Sequence, residues 1–279
     1  MCSITVWWMV PRRDAHARDR LAALAPRVSS GALAGERSLP VAPALRELLP
    51  SGITRSSVVG CRGGAALSSA FLLASAASQA GMWTGVAGVA HLGVEACREA
   101  GVALERLVVV QEPATVDGRG GDDRDDANRD DAGDVRRTDE QWGHVLASLI
   151  DGFDVVVFGA ADRVRPGTAR RVQSRLQSRG AVMLIVGRPG AFSCDVQVTT
   201  EVTWKGLGAG HGHLCARRVE LAVDGRRIPR TRRGSIWFPD ASGEVVAVAA
   251  ERAPLTVLPP EGLPSEASTA ATVALRRTG

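Results

Sequence analysis

One lysine, Lys205, stands against 33 arginines, and tyrosine is absent altogether. We read that skew as high-GC codon usage and draw no function from it. The five cysteines (Cys2, Cys61, Cys97, Cys194 and Cys215) include no C-x-x-C pair. Reduced thiols are therefore expected, not a disulfide framework. Nowhere does an apolar run approach the ~20 residues a membrane-spanning helix needs. The first ten residues are apolar, but no basic residue precedes them and Arg12 and Arg13 follow. A secretory leader has the opposite polarity. A cytoplasmic protein with no membrane partner is the expectation.

At 279 residues and 45% apolar content, the chain is long enough for one large α/β domain with appendages. Its formal charge of +4 is unevenly spread. Residues 114–140 hold nine Asp, one Glu and five Arg, a net of −5, so the remainder carries +9. A basic body with an acidic insert permits a nucleic-acid or acidic-protein partner.

Helix and strand patterns alternate from residue 38 onward. Strands are predicted at 57–59, 83–87, 107–110, 154–158 and 181–186, several of them continuous apolar runs of the kind buried in parallel sheets. Helices are predicted at 41–49, 66–80, 92–100, 142–150 and 166–178. After residue 195 the pattern changes to alternation with hairpin signals, including Asp224-Gly225. The expected fold is α/β: a mostly parallel sheet flanked by helices, with antiparallel C-terminal strands. The expected layout is an N-terminal extension (1–37), a core (38–240) with a disordered acidic insert (114–138), and a flexible tail (241–279).

The stretch from Ser57 to Ser69 has the order strand, glycine-rich turn, helix, which is the setting of a phosphate-binding loop. Gly60, Gly63 and Gly64 are read as the turn, and Arg62 is its only local cation. With Gly60 as the first glycine of G-x-x-x-x-G-K-[ST], Ala66 falls where lysine grips phosphate. Leu67 falls where a hydroxyl ligates magnesium. A carboxylate ending a buried strand is also required. After the strand at 154–158 come Gly159, Ala160 and Ala161, while Asp154 opens the strand at the opposite edge of the sheet. The stretch is therefore read as a degenerate phosphate loop: no catalytic residue, no cofactor and no metal.

Two further groups stand out. His211, His213 and Cys215 alternate along one strand, which we read as a polar hairpin end and not as a zinc site. Arginines gather at 163–179 and again at Arg217, Arg218, Arg226, Arg227, Arg230, Arg232 and Arg233. The second group is the candidate surface for contact with a partner or with DNA phosphates.

The segment from Leu39 to Gly64, with Leu45 to Gly52 just before Val58-Val59-Gly60, resembles the entry of RecA-fold recombinases. Residues 92–111 resemble the helix and strand that follow their second strand, and residues 154–158 stand in the place of their Walker B strand. In that register the glutamate that activates water falls near Val89. The whole chain looks most like the actinobacterial, RecA-like branch of the ImuA family, over roughly residues 38–240. The run from Trp204 to His213, followed by Arg217 and Arg218, is a familiar ending there. The resemblance implies a RecA-like P-loop fold without ATPase activity. It also implies a non-catalytic accessory role in damage-induced mutagenic translesion synthesis. The implied partners are ImuB, an inactive Y-family polymerase homologue, and an error-prone C-family polymerase, with DNA reached directly or through them. The other readings left open are an ATP-dependent RecA-like repair or recombination protein and a SulA-like division inhibitor.

Overall fold

The computed structural model describes residues 37–90, 92–110, 131–208, 211–226 and 228–248. Residues 1–36, most of the acidic insert, Arg227 and most of the tail lie outside the described residues.

A two-stranded ribbon, β1 (Ser38–Leu39) with β2 (Ile53–Thr54), opens the described chain around a single 3-10 turn at Pro43–Leu45. Next come β3 (Val58–Gly63), α1 (Ala66–Gln79), β4 (Thr84–Ala87), α2 (Val94–Glu99) and β5 (Leu107–Val110). They are followed by α3 (Asp131–Gly152), β6 (Val155–Phe158), α4 (Pro166–Arg179) and β7 (Val182–Val186). The described chain closes with β8 (Val196–Gly208), β9 (His211–Asp224), β10 (Arg232–Trp237) and β11 (Val246–Val248). Nine strands form one sheet in the order β11-β10-β9-β8-β3-β7-β6-β4-β5. From β8 to β5 neighbours run parallel, and from β8 to β11 they run antiparallel. The fold is thus α/β, with a mostly parallel large sheet, antiparallel strands added at one side, and helices.

Period-two alternation explains why the central strands are apolar throughout. Val155 and Val157 of β6 and Val182 and Leu184 of β7 pack with α1 and α2. Val156, Phe158, Met183 and Ile185 face α3 and α4 through Trp142, Leu146, Val172 and Leu176. Both faces are covered, so neither set of positions can be polar. An edge-on cluster, Trp142–Phe158 at 5.3 Å and Phe158–Phe192 at 6.3 Å, fills the second face. α1 is buried almost all round, hence its lack of a polar stripe. Its serines bond locally: Ser75 Oγ donates to Leu72 O and Ser78 Oγ to Ser75 O. Ser78 Oγ also accepts the buried N–H of Ala103 at 3.0 Å.

Four boundaries differ from expectation. β3 continues through Gly63 instead of turning at Gly60. The short helix expected at 41–49 is the 3-10 turn alone. α3 begins at Asp131, inside the segment read as disordered, because residues N-terminal to its apolar face extend the same helix. β11 lies beyond the expected boundary at 240, paired with β10 from Ser235↔Val248 to Trp237↔Val246.

Candidate functional site

The glycine stretch comes first. Gly60 pairs with Ile185 of β7 and Gln197 of β8, and Gly63 pairs with Thr200, so both are strand residues. Only Gly64 and Ala65 separate β3 from α1. Two residues cannot form a loop that wraps a phosphate chain. A methyl on Gly60 would meet the Gln197 amide at 2.7 Å and Cys194 Sγ at 3.0 Å. Gly63, at φ +93°, would place a methyl 1.9 Å from Thr200 O. Gly63 is therefore required by the close approach of the β8 backbone, while Gly60 makes room for the side chains of Gln197 and Cys194.

Side chains and backbone of β8 engage several backbone groups of this stretch, among them the N–H donors of Gly64 and Ala65. Gln197 Nε2 donates to Gly60 O at 3.0 Å. Thr200 Oγ1 donates to Arg62 O at 2.8 Å and accepts the N–H of Ala65 at 3.0 Å. Gly64 N–H goes to Thr200 O at 3.3 Å. Thr200 is itself buried. Arg62 is exposed, and Ala66 and Leu67 are half-buried, packed against the core of the α1 face. Cys61 lies in the same strand, and burial pushes its thiol up to about 12, which leaves it unreactive.

Where a metal-binding carboxylate would stand, Gly159 lies against Gly88. A methyl on Gly159 would come within 2.4 Å of Gly88 O, and one on Gly88 within 2.7 Å of the Ala160 methyl. Val89 packs against the hydrophobic core. Asp154 sits before β6, where its carboxylate is 3.4 Å from Arg55 Nη1 and accepts the N–H of Trp83 at 3.3 Å. It belongs to the other edge of the sheet.

The C-terminal arginines do not act as one group. Arg226 is exposed and reaches Ser193 Oγ and Asp195. Arg232 donates to Leu48 O, in the segment that follows the 3-10 turn, at 3.1 Å. Arg218 contacts Ser235 Oγ at 3.2 Å and Glu220 at 3.7 Å. Arg230 and Arg233 are exposed. On α4, Arg175 and Arg179 both hold Asp151 of α3. The Arg175 hydrogen bond keeps the Asp151 carboxyl below its ordinary value. His211, His213 and Cys215 are exposed on β9, and no group of three possible metal ligands occurs among the described residues.

β8 and β9 form a ribbon longer than its neighbours. β3 pairs with β8 only as far as Thr200, and β10 pairs with β9 only from Arg218. Pairing within the ribbon nevertheless continues to Gly208↔His211, through a register shift between Lys205 and Leu207. Gly206, Leu207 and Gly208 thus belong to β8, and His211 and Gly212 to β9. This projecting part carries exposed Trp204 (49%), Leu207 (63%) and Leu214 (48%). Lys205 stacks on Trp237 at 4.8 Å on its way out.

At the root of the ribbon lies an open cleft of about 280 Å³, lined among others by Ser68, Glu99, Trp204, Arg217 and Phe238. Trp204 and Arg217 are directly opposite each other across the strands. The guanidinium lies between Trp204, at 5.4 Å, and Phe238, at 5.1 Å. Its Nε donates to Phe238 O at 2.5 Å and Nη2 to Ser68 Oγ at 3.1 Å. Burial lowers its pKa from the ordinary arginine value. Sequence reasoning found Arg217 but not this cage. The available signal was alternation: Val198, Thr200 and Val202 share a face, and Trp204 is the next residue on it.

Residues 47–119 and 134–190 match the family model of the MT3502 N-terminal domain. The similarity covers the glycine stretch and the strands through β7. It stops before β8, so the ribbon and the cleft residues Trp204, Arg217 and Phe238 lie outside it, while Ser68 and Glu99 of the same cleft lie inside. No curated protein matches the chain. Among the described residues no helix is long and apolar enough to cross a membrane.

Proposed function

We propose that this chain is a non-catalytic accessory protein of damage-induced mutagenic translesion DNA synthesis, with a degenerate RecA-like core. It acts in the cytoplasm and docks an ImuB-like inactive Y-family polymerase homologue and an error-prone C-family polymerase. DNA is contacted directly or through those partners. The observation that carries the non-catalytic half is the use of Gly60 and Gly63 for strand packing. The places of lysine, hydroxyl and carboxylate are held by Ala66, Leu67 and Gly159, and the first two pack as apolar residues. Losing all three removes both charge neutralisation and the metal on which phosphoryl chemistry depends.

The docking half rests on the ribbon. An exposed two-stranded arm offers unpaired edges and large apolar side chains, which suit β-addition or anchoring in a partner groove. Exposed Arg230 and Arg233 would supply complementary charge nearby.

Capture from DNA-damaged cells tests this reading. The full chain is expected to retain a Y-family-like polymerase homologue, and a Trp204→Ala/Leu207→Ser double variant is expected to lose it while staying folded. Absence of any such homologue from the full-chain capture would overturn the proposal. Hydrolysis of ATP above background would favour a RecA-like repair ATPase instead.

A further inference from the structure

The cleft at the root of the ribbon holds a charge that the fold does not balance. Arg217 is half-buried and caged by two rings, yet among the described residues no carboxylate pairs with it. A guanidinium has five N–H donors in a planar fork. Two are engaged, by Phe238 O and Ser68 Oγ. The contacts that hold the group therefore leave donors directed away from its two anchors. Burying an uncompensated cation is costly, and a partner carboxylate offsets that cost more effectively than water does.

We infer that the Arg217 cleft is a binding site for a single carboxylate on a partner polypeptide, either an acidic side chain or a chain terminus. Size and charge both narrow the choice. About 280 Å³ is below the range of pockets that enclose drug-sized ligands. It accommodates one side chain, not a nucleotide. Glu99 lines the same cleft, so a phosphate dianion would meet repulsion with only one cation to offset it. A monoanion with a short apolar stem can lay its methylenes on the half-exposed ring of Trp204 while its oxygens meet the fork. Ser68 and the Phe238 carbonyl fix the orientation of that fork, so little is lost in ordering it on binding.

The site stands independently of the mutagenesis reading, since it is tested on the isolated full chain with synthetic probes. The chain is labelled with nitrogen-15, and the Trp204 indole resonance is identified by its loss in Trp204→Phe. Four probes are titrated: acetyl-leucyl-glutamyl-leucine amide, its glutaminyl analogue, that analogue with a free C-terminal carboxylate, and inorganic phosphate. A saturable shift with one or both carboxylate peptides is expected, at least about tenfold tighter than with the neutral peptide or phosphate. The glutamyl and free-terminus arms tell the two sources apart. Arg217→Lys should weaken binding about tenfold, because it keeps the charge and loses the fork. Glu99→Gln should tighten it by roughly twofold to threefold while leaving Arg217 untouched, which keeps the test valid if Arg217 variants unfold. Equal shifts with neutral and charged peptides, tighter binding of phosphate, or no shift with either carboxylate would overturn the inference.

Discussion

The C-terminal edge of the parallel strands, which meets β8 at Thr200, and the root of the β8–β9 ribbon, at Trp204, lie four residues apart on β8, and they are built in opposite ways. At the first, backbone meets backbone: Gly63 against Thr200 and Gly159 against Gly88 leave no room for a methyl group. At the second, side chains stand apart around an open cleft, with a half-exposed tryptophan and a partly satisfied arginine. A region whose Gly64 and Ala65 N–H groups are engaged and whose glycines are packed against β8 has little room left with which to bind. One with unsatisfied donors and exposed rings has retained that capacity. Position at the end of a central strand is therefore a weaker guide to a site than unspent hydrogen bonds and uncovered surface.

Gly63→Ala should have the largest effect on that contrast. At φ +93° and 1.9 Å from Thr200 O, the new methyl is expected to destabilise the fold by about 4 kcal/mol, read as a fall in the denaturation midpoint. A tolerated substitution would mean that this edge is looser than described. Thr200→Val comes next. It removes the acceptor for Ala65 N–H and the donor to Arg62 O, and a cost of roughly 1–3 kcal/mol should appear in chemical denaturation.

Away from both regions, Asp151 provides a control with a sign. Its carboxyl is held low chiefly by the Arg175 hydrogen bond. Its contribution is therefore present above the ordinary carboxylate range and fades as pH falls through the folded value. Asp151→Asn should cost about 0.5 kcal/mol near neutral pH, the partial exposure of the pair keeping the figure small. The difference between variant and parent should vanish in acid. The smallest effect is expected from Ala66→Lys, which restores the missing lysine. Stability should change by about 0.5 kcal/mol or less, and no MgATP-dependent change in the unfolding midpoint should appear.

Much of the sheet was legible because apolar runs such as those of β6 and β7 have one physical explanation, burial on both faces. The change to alternation after residue 195 likewise marked the antiparallel side. Gly60 and Gly63 misled because glycine signals a turn and a close strand approach with the same letter, and only the position of Thr200 distinguishes them. The start of α3 at Asp131 was hidden by acidic composition, which favours disorder locally but is compatible with helix once the apolar face of Trp142, Leu146 and Leu149 is anchored. Pairing of β1 with β2 and of β10 with β11 depends on contacts between separated segments, which no local pattern encodes. The cleft was missed for the same reason, since Ser68, Trp204 and Phe238 meet only through the fold.

The central claim is that the glycine stretch packs strands and holds no nucleotide. The unfolding midpoint of the full chain, titrated with MgATP, tests it most directly, because any ligand held only by the folded state raises the midpoint with concentration. The account predicts one unchanged midpoint up to millimolar MgATP. A saturable, magnesium-dependent rise that disappears in Arg62→Ala would contradict it.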